Sequence, residues 1–580
     1  MILSAFATVE AVIATLRPKN GVGCAWPLAS SWSWRATELR RVRGSQARYR
    51  TRLKRGLDSH SPAAPGNVDA AALPEGRLPS RRWWAVVVVA SPGYVVTPGR
   101  KEVKVVRRLY PLAVGLMMGL VLISFAQGSE SSQEMGVSAA GADTIPNRPN
   151  ILFIMTDDQF PGTELRMPHF KGEMKSQGVT FSNTVSTFPL CCPARATVHT
   201  GLYPHNTHVY GNSLPEGGYQ KFARQGLQKK TFAVWLDRAG YNTGHFGKYL
   251  TDYKGKSNTL PGWDRWYTLN GGLMGYKSVN DQGTTTNMSA QRADIATSSE
   301  ALEFIRNNVG KDQPFMAMAD FVAMHSPYPH DKTDNDLFRN ASVPRTMAFN
   351  EKNVSDKPAY IRSDPRLGPK ARHHIDADYR NGLRSLMRVD RFLDDAVDTL
   401  RANGELSNTY IVFYTDNGNH FGQHRQKPGK LMPYEEDINF PLYIRGPGIA
   451  HGVTKPQLVG NHDIAPTLAR MGSANAPTVD GRSILALAKG DVNRWPRDAI
   501  LSMKKGANGG VTDWWAVRHM NSIYIKYKTG EKEYYSLSKD PHEINNKAGR
   551  LGRRAKARFG HEIDRILGCK DLGCRRAENR

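Results

Sequence analysis

Three continuous apolar segments, each followed by polar residues, constrain the fold of this 580-residue chain most strongly. The segments are Ile151–Met155, Phe315–Val322 and Tyr410–Tyr414. The polar residues that follow them are Asp157-Asp158, His325 and Asp416-Asn417. Apolar runs without polar alternation are typical of central parallel strands that are covered on both faces. Because open α/β sheets place their sites at the carboxyl ends of strands, the pattern predicts one site built from distant parts of the chain.

Helical patterns lie between these predicted strands. The clearest has six apolar residues at three- and four-residue spacing, with one step of seven, and Gly404 is its predicted end: Tyr379, Leu383, Leu386, Leu393, Val397 and Leu400. Alternation of strands and helices predicts an α/β fold with a doubly wound, mostly parallel sheet.

A different pattern begins at about Ala476. Short alternating strands such as Trp515–Arg518 and Ser522–Tyr527 follow, and we expect the turn Lys528–Glu531 to separate them. A helix is predicted near Arg553–Leu567. We therefore predict a catalytic domain over residues 148–475 and a smaller C-terminal α+β subdomain with an antiparallel sheet over 476–580.

The N-terminal region differs from the rest in charge. Met1–Tyr110 carries 19 Lys and Arg residues against 6 Asp and Glu. Its net charge, 19 − 6 = +13, is half of the formal net charge of +26 for the whole chain. The remainder is only mildly basic, so we expect no nucleic-acid partner. Residues 1–99 show no helix or strand period, and we expect them to be disordered or to be an extension from a start codon assigned too early.

Residues 100–126 have the layout of an export signal. Basic residues precede an apolar run, Pro111–Phe125, which ends at the small-x-small site Ser124-Phe125-Ala126. A cleaved signal peptide and an uncleaved membrane anchor over 111–126 both fit this run, although it is short for a bilayer span. A polar linker is predicted over 127–147. The pattern predicts a secreted or periplasmic protein.

The five cysteines divide into three groups. Cys24 falls in the N-terminal extension. Cys569 and Cys574 close a short loop and are predicted to form a disulfide, which an exported protein permits. Cys191 and Cys192 are adjacent and poorly placed to pair with each other, so they need another explanation.

The two acidic pairs after the apolar segments indicate a cation site. Taken alone, Asp157-Asp158 could end a strand and cap a helix, and Asp416-Asn417 followed by glycine is a common turn sequence. Together they bring four hard oxygen ligands to one sheet edge, and such ligands are those that Ca²⁺ or Mg²⁺ takes. Carboxylates this close would repel one another without a cation, so the coincidence predicts a divalent metal site.

The segment Leu190–Gly201 contains Cys191, Pro193 and Arg195 in a fixed order. A buried thiol before a helix explains the proline but not the arginine two residues later. A nucleophile at a helix N-terminus lies in the partial positive charge of free N–H groups, which also favours an oxyanion. The segment therefore predicts a nucleophilic Cys191 with Arg195 reaching back towards it.

These residues resemble the type I sulfatase family within the alkaline phosphatase superfamily. The resemblance runs from about Arg148 to about Ala548 and is greatest to the N-acetylglucosamine-6-sulfatase and heparan endosulfatase branch. Seven motifs carry it in the family's order: Arg148–Phe153, Cys191-Cys192-Pro193-Ala194-Arg195, Gly247-Lys248-Tyr249, Pro261–Asp264, Thr415–Gly418, Arg445–Gly448 and Lys539-Asp540-Pro541. The Cys-x-Pro-x-Arg signature is the most specific of them.

The resemblance implies the cofactors and roles of the site residues. Cys191 would be oxidised to formylglycine (3-oxoalanine) by a formylglycine-generating or equivalent maturation enzyme. Calcium, or alternatively magnesium, would bind to the modified Cys191 and to four further residues, namely Asp157, Asp158, Asp416 and Asn417. Arg195 and Lys248 would hold the aldehyde hydrate and the sulfate oxygens, and His325 and Lys430 would lie on the leaving-group side.

The implied chemistry explains these residue types. A cation with arginine and lysine stabilises the diffuse negative charge of a transferring sulfuryl group, as cationic clamps do in phosphoryl transfer. One hydroxyl of the hydrated aldehyde attacks sulfur with Asp416 as the base, and His325 or Lys430 protonates the departing alcohol. The second hydroxyl then loses its proton and expels sulfate.

Two positions depart from the family's usual pattern. Ala194 replaces the commoner serine, which would lower maturation efficiency and leave the key residues in place. Leu250 stands where many members have a histidine that assists sulfate expulsion. Four other histidines could substitute for it, although each also fits an ordinary structural residue: His199, His205, His208 and His245. By their position after the Asp-Asn-Gly turn, His420 and His424 are predicted substrate contacts.

The predicted function is hydrolysis of a sulfate monoester on a sulfated sugar, such as a 6-O-sulfated N-acetylglucosamine, or on an aryl sulfate. Two alternatives remain open at this point. One is a phosphonate monoester or phosphodiester hydrolase of the same superfamily, and the other is a carbohydrate-binding protein whose Cys191 is never matured.

Overall fold

The structure, a computed structural model, describes residues 148–579 except 256–258, 273–274, 493 and 508. The predictions for the N-terminal extension, the export signal, the linker and Cys24 lie outside these residues. None of the helices in the described ranges combines the length and the apolar character needed to cross a bilayer.

A sheet of ten strands forms the centre of the fold. Its strands are, in chain order, β1 Asn150–Thr156, β2 Val179–Val185, β3 Asn242–Gly247, β4 Arg265–Gly272, β5 Gly275–Asp281, β6 Thr284–Asn287, β7 Phe315–Asp320, β8 Thr409–Thr415, β9 Leu442–Arg445 and β10 Val453–Gly460. Their order across the sheet is β10-β2-β9-β8-β1-β7-β3-β4-β5-β6. The five central strands, from β8 to β4, are mutually parallel, whereas β9 and β5 run antiparallel to their neighbours.

Strand register brings the predicted site residues together. β1 pairs in parallel with β8 on one side and β7 on the other, so that Met155 lies opposite both Tyr414 and Asp320. The backbone N–H of Asp157 donates to Ala323 O at 2.8 Å, and that of Asp416 donates to Thr156 O at 3.2 Å. The carboxyl ends of three strands therefore meet at one edge, as the apolar segments predict.

Helices cover the sheet and connect its strands. The α-helices of the described residues are α1 Pro168–Phe170, α2 Cys191–Thr200, α3 Pro204–Thr207, α4 Gly218–Arg224, α5 Phe232–Arg238, α6 Ala293–Asn308, α7 Ala359–Arg362, α8 Pro369–Ala402, α9 Glu435–Ile438, α10 Ile464–Met471, α11 Leu485–Lys489, α12 Arg553–Leu567 and α13 Leu572–Ala577. A π-helical turn, Lys171–Lys175, and 3₁₀ turns supplement them at Thr163–Arg166, Leu227–Lys229, Ala290–Arg292, Lys332–Asp334, Leu406–Asn408, Asn461–Asp463 and Ala548–Arg550. All six apolar residues predicted to form one helical stripe are buried on α8, which ends two residues before Gly404.

A second sheet follows near the C-terminus. It is antiparallel, and its strands are β11 Ala499–Lys504, β12 Trp514–His519, β13 Ser522–Tyr527 and β14 Lys532–Ser536. The turn Lys528–Glu531 joins β13 to β14, so the expectation that it separates β12 from β13 is wrong; Met520 and Asn521 do that. The predicted α/β fold, a mostly parallel doubly wound sheet with a smaller antiparallel C-terminal sheet, is confirmed.

The second sheet supports the loops at the edge of the first. Its apolar core includes Leu190, directly before α2, and Leu431 and Met432 from the loop before α9. Trp514 donates its indole N–H to Leu431 O at 2.8 Å. Ser502 Oγ donates to Ser186 O at 2.8 Å, ahead of the same helix. The segments that carry Cys191 and Lys430 are thus packed from behind by the C-terminal sheet.

A buried ion network fastens the end of the chain to the rest of the protein. Glu578 is fully buried, and its carboxylate accepts hydrogen bonds from Tyr203 at 2.6 Å, Arg497 at 2.9 Å and Arg482 at 2.8 Å. His462 Nε2 lies 2.7 Å from the same carboxylate. Burial alone would raise the pKa of Glu578, but Arg497 and His462 outweigh it and lower the pKa to about 2.

We expect Glu578→Gln to lower the free energy of unfolding by about 3–5 kcal/mol at pH 7, because it leaves buried cations without their partner. Since the pKa is lower in the folded state, this stabilisation is complete above the ordinary pKa of 4.5 and is lost as the pH falls towards 2. Urea unfolding at pH 7 and pH 3 measures both effects. Glu303→Gln, on an exposed position of α6, is the control, and an equal loss in both variants would contradict the network's role.

Candidate active site

Cys191 is the first residue of α2, where the helix begins after the extended residue Leu190. It is 2% exposed. Asn212, from a loop further along the chain, accepts a hydrogen bond from the backbone N–H of Cys192 at 2.9 Å and so helps to hold this terminus. The first-turn N–H groups of a helix carry partial positive charge, so the side chain of Cys191 lies in a field that favours an anion.

Three carboxylates converge beside Cys191. Asp157 and Asp158 follow β1, Asp416 follows β8, and one oxygen from each lies within 4.8 Å of the others. The thiol of Cys191 lies 3.6 Å from Asp157 Oδ1 and 4.0 Å from Asp158 Oδ1. The structure thus brings Cys191 together with Asp157 and Asp158, from well before it in the chain, and with Asp416, from far after it, as the predicted sheet edge requires.

Three cations surround these carboxylates. Lys248 Nζ forms an ion pair with Asp157, and Lys430 Nζ forms one with Asp158. Lys430 Nζ also lies 2.8 Å from Cys191 Sγ, so this lysine contacts the predicted nucleophile itself. Burial lowers the pKa of each lysine, but the carboxylates outweigh it and raise the pKa above its ordinary value, so both ammonium groups stay charged at neutral pH.

Arg195 is fully buried and links two strand ends. Its Nε donates to Asp416 Oδ2 and its Nη1 to Asp320 Oδ2, both at 2.7 Å, and Nη1 also donates to the carbonyl of Lys248 at 2.9 Å. Its Nη2 is buried without a protein partner among the described residues. The guanidinium is therefore fixed by its protein contacts and keeps one donor available for a bound anion.

The sequence patterns did not predict Asp320 as a residue of the site. It ends β7 and is fully buried against Arg195. The sequence held a signal for it, because an aspartate inside an otherwise apolar strand must find a buried partner.

Asn417 provides the observation that tests the predicted metal site. Its Nδ2 donates to Asp158 Oδ1 at 2.8 Å, whereas its buried Oδ1 has no hydrogen-bond partner among the described residues. A buried amide oxygen without a partner is unfavourable unless it binds something. The carboxylates of Asp157, Asp158 and Asp416 beside it supply the remaining hard oxygen ligands, so the residues present fit a divalent cation of the calcium or magnesium type.

The charges of the pocket act on its titratable groups. Burial raises the pKa of the Cys191 thiol to about 12, against the opposing effect of Lys248 and Lys430. For Asp157 and Asp158, burial raises the pKa, but lysine and His325 outweigh it and the pKa falls below the ordinary value. The carboxylates are thus ionised at neutral pH, while the unmodified thiol is neutral and differs from an activated thiolate.

His325 lies at the mouth of the site. Its Nε2 is 3.5 Å from Asp158 Oδ2, and its side chain is 36% exposed. This is the most accessible of the predicted catalytic side chains; its role towards the departing alcohol stays a prediction.

His420 and His424 lie inside the protein. His420 Nδ1 is 2.8 Å from Asp437, and His424 Nδ1 is 2.7 Å from Glu351. His420 also pairs through its backbone with Gly429, directly before Lys430, so it positions the lysine-bearing loop. The substrate contact predicted for the two histidines stays a prediction; their observed contacts are with carboxylates of the protein.

Leu250 and the four histidines considered in its place are also located. Leu250 is 2% exposed, within the main core. His245 Nδ1 lies 2.9 Å from Thr268 Oγ1, and its Nε2 lies 3.8 Å from Asp320. His199 stacks on Phe232, and His205 lies against Tyr203. His245 therefore lies next to the site residue Asp320, whereas His199 and the half-buried His205 pack against aromatic rings. His208, directly after α3, is exposed.

The disulfide predicted between Cys569 and Cys574 is present, with an S–S distance of 2.02 Å. It closes the loop between α12 and α13. The adjacent pair Cys191 and Cys192 are both free and buried.

Comparisons with known proteins agree with this geometry. A sequence model of the sulfatase family matches residues 149–473, more than half of the chain. A second model, of the C-terminal part of N-sulphoglucosamine sulphohydrolase, matches residues 422–557.

Two relatives and one solved structure give the extent of the similarity. N-acetylglucosamine-6-sulfatase of Capra hircus is 29% identical over 489 residues, covering 76% of this chain and 87% of the goat protein. A Caenorhabditis elegans homologue of extracellular sulfatase Sulf-1 is 34% identical over 355 residues, or 59% of this chain and 49% of the worm protein. A protein solved in complex with its substrate D-glucosamine-2-N,6-O-disulfate shares the fold, with a TM-score of 0.59 at 22% identity, covering 72% of this chain and 97% of that chain.

Proposed function

This chain belongs to the type I sulfatase family, in its N-acetylglucosamine-6-sulfatase branch, and is a sulfuric ester hydrolase; from that premise we propose that it removes the 6-O-sulfate of a sulfated amino sugar. The observation that carries the proposal is the single pocket in which Cys191, three carboxylates and three cations converge.

Cys191 is the proposed nucleophilic position. A maturation enzyme would convert its thiol to the aldehyde of formylglycine, which supplies a hydroxyl nucleophile in hydrated form. The place of Cys191 at the start of α2, beside Lys430, supports this role because both the helix terminus and the ammonium group stabilise an oxygen nucleophile. The neutral buried thiol would not be a strong nucleophile without such conversion.

Calcium is the proposed cofactor, with magnesium as the alternative. Asp157, Asp158, Asp416 and Asn417 would hold it, together with the modified Cys191. When bound, the ion would neutralise negative charge on the sulfuryl group. Lys248 and Lys430 pair with the carboxylates and keep positive charge at the same place.

Protein side chains would bind and orient the sulfate. Arg195, through its unpartnered Nη2, and Lys248 would hold sulfate oxygens. Both side chains are buried, which supports this role because such contacts act most strongly away from water. Asp416 would accept the proton of the nucleophile, and His325, the exposed member of the set, would protonate the leaving alcohol.

The location and the extent of the catalytic region are also proposed. An export-signal layout over residues 100–126 and the Sulf-1 relative described as extracellular support secretion. We place the catalytic region at 148–475 and a supporting subdomain at 476–580, because the second sheet packs behind the loops that carry Cys191 and Lys430.

We expect Asn417→Ala to lower the affinity for Ca²⁺ by at least about tenfold, because an oxygen ligand is removed. In the wild type, Ca²⁺ at about 100 times its Kd should stabilise the folded protein by about 2.7 kcal/mol, and this gain should shrink in the variant at the same concentration. Thermal unfolding with and without Ca²⁺ measures the effect independently of turnover. Asn403→Ala, at an exposed asparagine after α8, is the control; an equal response to Ca²⁺ in both variants would argue against the site.

Turnover of matched substrates tests the proposed reaction. N-acetylglucosamine-6-sulfate should be hydrolysed with a higher kcat/KM than the 4-sulfated isomer, an aryl sulfate or a phosphonate monoester. Faster hydrolysis of the phosphonate would favour the superfamily's other activity, and an intact thiol at Cys191 in inactive protein from its native host would favour an unmatured binding protein.

A further inference from the structure

A cleft with a volume of about 740 Å³ lies at the far end of the helix that begins with Cys191. Thr200, the last residue of α2, and Leu202 form part of its lining. A ten-residue helix is about 15 Å long, so the cleft is separate from the pocket around Cys191. A ligand bound there need not contact the reacting groups.

Four cations from separate parts of the chain line this cleft. They are Lys229 and Lys230 after α4, Arg238 at the end of α5, and Lys570 in the disulfide loop, and all four are exposed. Asp571 is the one carboxylate in the lining. In the described ranges, none of the four cations forms an ion pair with a carboxylate. The cleft therefore has positive charge that is available to an anionic ligand.

The remaining lining combines amides with apolar side chains. Gln225 and Asn475 offer hydrogen-bond donors and acceptors, and Leu227 and Val479 add apolar surface. The lining contains no phenylalanine or tyrosine, and its one tryptophan, Trp235, is only 3% exposed. The cleft therefore offers no broad stacking surface for nucleic-acid bases. Amides, apolar patches and cations together suit a sugar that bears sulfate groups.

One wall of the cleft is held rigidly. The disulfide between Cys569 and Cys574 closes the loop that carries Lys570. Asp480 accepts a hydrogen bond from the backbone N–H of Asp571 at 2.7 Å and another from Asn206 Nδ2 at 2.8 Å. Two parts of the lining are thus tied to one buried carboxylate, and a pre-organised wall lowers the entropy lost on binding.

We propose that this cleft is a second binding site for a sulfated segment of a saccharide chain, remote from the sulfate that is hydrolysed. The proposal rests on the proposed function, since it assigns a polymeric substrate to the same enzyme. Binding at the cleft would retain a sulfated polymer at the protein between turnovers, whereas a single sulfated sugar would not need it.

The test compares two charge-matched triple variants in full-length protein that also carries Cys191→Ala, so that no turnover occurs. The first neutralises the cleft with Lys229→Gln, Lys230→Gln and Lys570→Gln. The second removes the same charge from the exposed face of α12 with Arg553→Gln, Arg554→Gln and Arg558→Gln. The probe is a size-defined, highly sulfated heparin octasaccharide, and calorimetry at several salt concentrations gives its affinity.

Neutralising the cleft should weaken octasaccharide binding by about tenfold and make it less sensitive to salt, since exposed charge contacts are individually small and screened. The α12 variant should change the affinity by less than about twofold. An equal or greater loss in the α12 variant would overturn the proposal, as would tighter binding of a charge-matched DNA duplex than of the octasaccharide.

A separate assay distinguishes this proposal from the proposed function. In a matured protein without the Cys191→Ala substitution, the cleft variant should hydrolyse N-acetylglucosamine-6-sulfate with an unchanged kcat/KM and have a raised KM for the octasaccharide. Absence of monosaccharide turnover in the wild type would count against the proposed function alone, because octasaccharide binding is measured with inactive protein. A parallel loss on both substrates would contradict a site remote from the reaction.

Discussion

Replacing Cys191 by alanine should lower kcat for sulfate-ester hydrolysis by at least about 10³-fold, because the side chain that supplies the nucleophile is removed. The pocket's charged groups would remain in place, since Lys430 keeps its ion pair with Asp158. Folding should therefore be retained. Initial rates on a sulfated amino sugar and urea unfolding of the same preparations measure the two quantities.

Cys192 provides the matched control for this substitution. It is the next residue of the same helix, fully buried in the main core, and it occupies the variable position of the signature. Cys192→Ala should lower the free energy of unfolding by about 1 kcal/mol and leave kcat within a few-fold of the wild type. If Cys192→Ala abolished turnover and Cys191→Ala did not, the assignment of the nucleophile to Cys191 would be wrong.

Replacing Arg195 by alanine should lower the free energy of unfolding by about 3–5 kcal/mol, because it leaves Asp416 and Asp320 buried without their cation. Turnover of the folded fraction should also fall by at least about 10²-fold, since a fixed donor to the sulfate is lost. Denaturant unfolding and turnover corrected for folded protein report the two effects.

Arg195→Lys and Arg401→Ala serve as controls for this prediction. Lysine keeps the charge but cannot reproduce the fork that contacts two carboxylates, so an intermediate loss of stability is expected. Arg401 forms half-exposed ion pairs at the end of α8, and its removal should change stability by less than about 1 kcal/mol. Equal stability of Arg195→Ala and Arg401→Ala would contradict the structural part of this account.

The central strands could be predicted because each is buried on both faces. All residues of β1 and β8 are buried, so their sequences lack polar alternation and stand out from the rest of the chain. Parallel pairing of these strands then brings Asp157 and Asp416 to one edge. The acidic part of the site follows from strand order alone.

The edge strands could not be predicted in the same way. All residues of β6, Thr284–Asn287, are exposed, so no apolar period marks this strand. β10 contains Pro456, and its pairing with β2 is irregular between Lys455 and Leu458. Proline removes a ladder donor and is tolerated near such irregularities, which hides the strand from a propensity-based prediction.

Side-chain orientation limited the prediction of the site. The sequence placed His420 and His424 close to the Asp-Asn-Gly turn, but only the structure shows that carboxylates of the protein hold their rings. Asp320 is the converse case, a site residue concealed inside an apolar run. Both outcomes depend on contacts between distant segments, which spacing along the chain does not encode.

The central claim is that Cys191 becomes the formylglycine nucleophile of a sulfatase. Mass analysis of the peptide spanning Leu190–Arg195, from protein made in its native host, tests it most directly. The account predicts the mass change for replacement of one thiol by an aldehyde, located at Cys191, with Cys192 unchanged. A peptide in which both thiols are intact, in protein that hydrolyses sulfate esters, would contradict it.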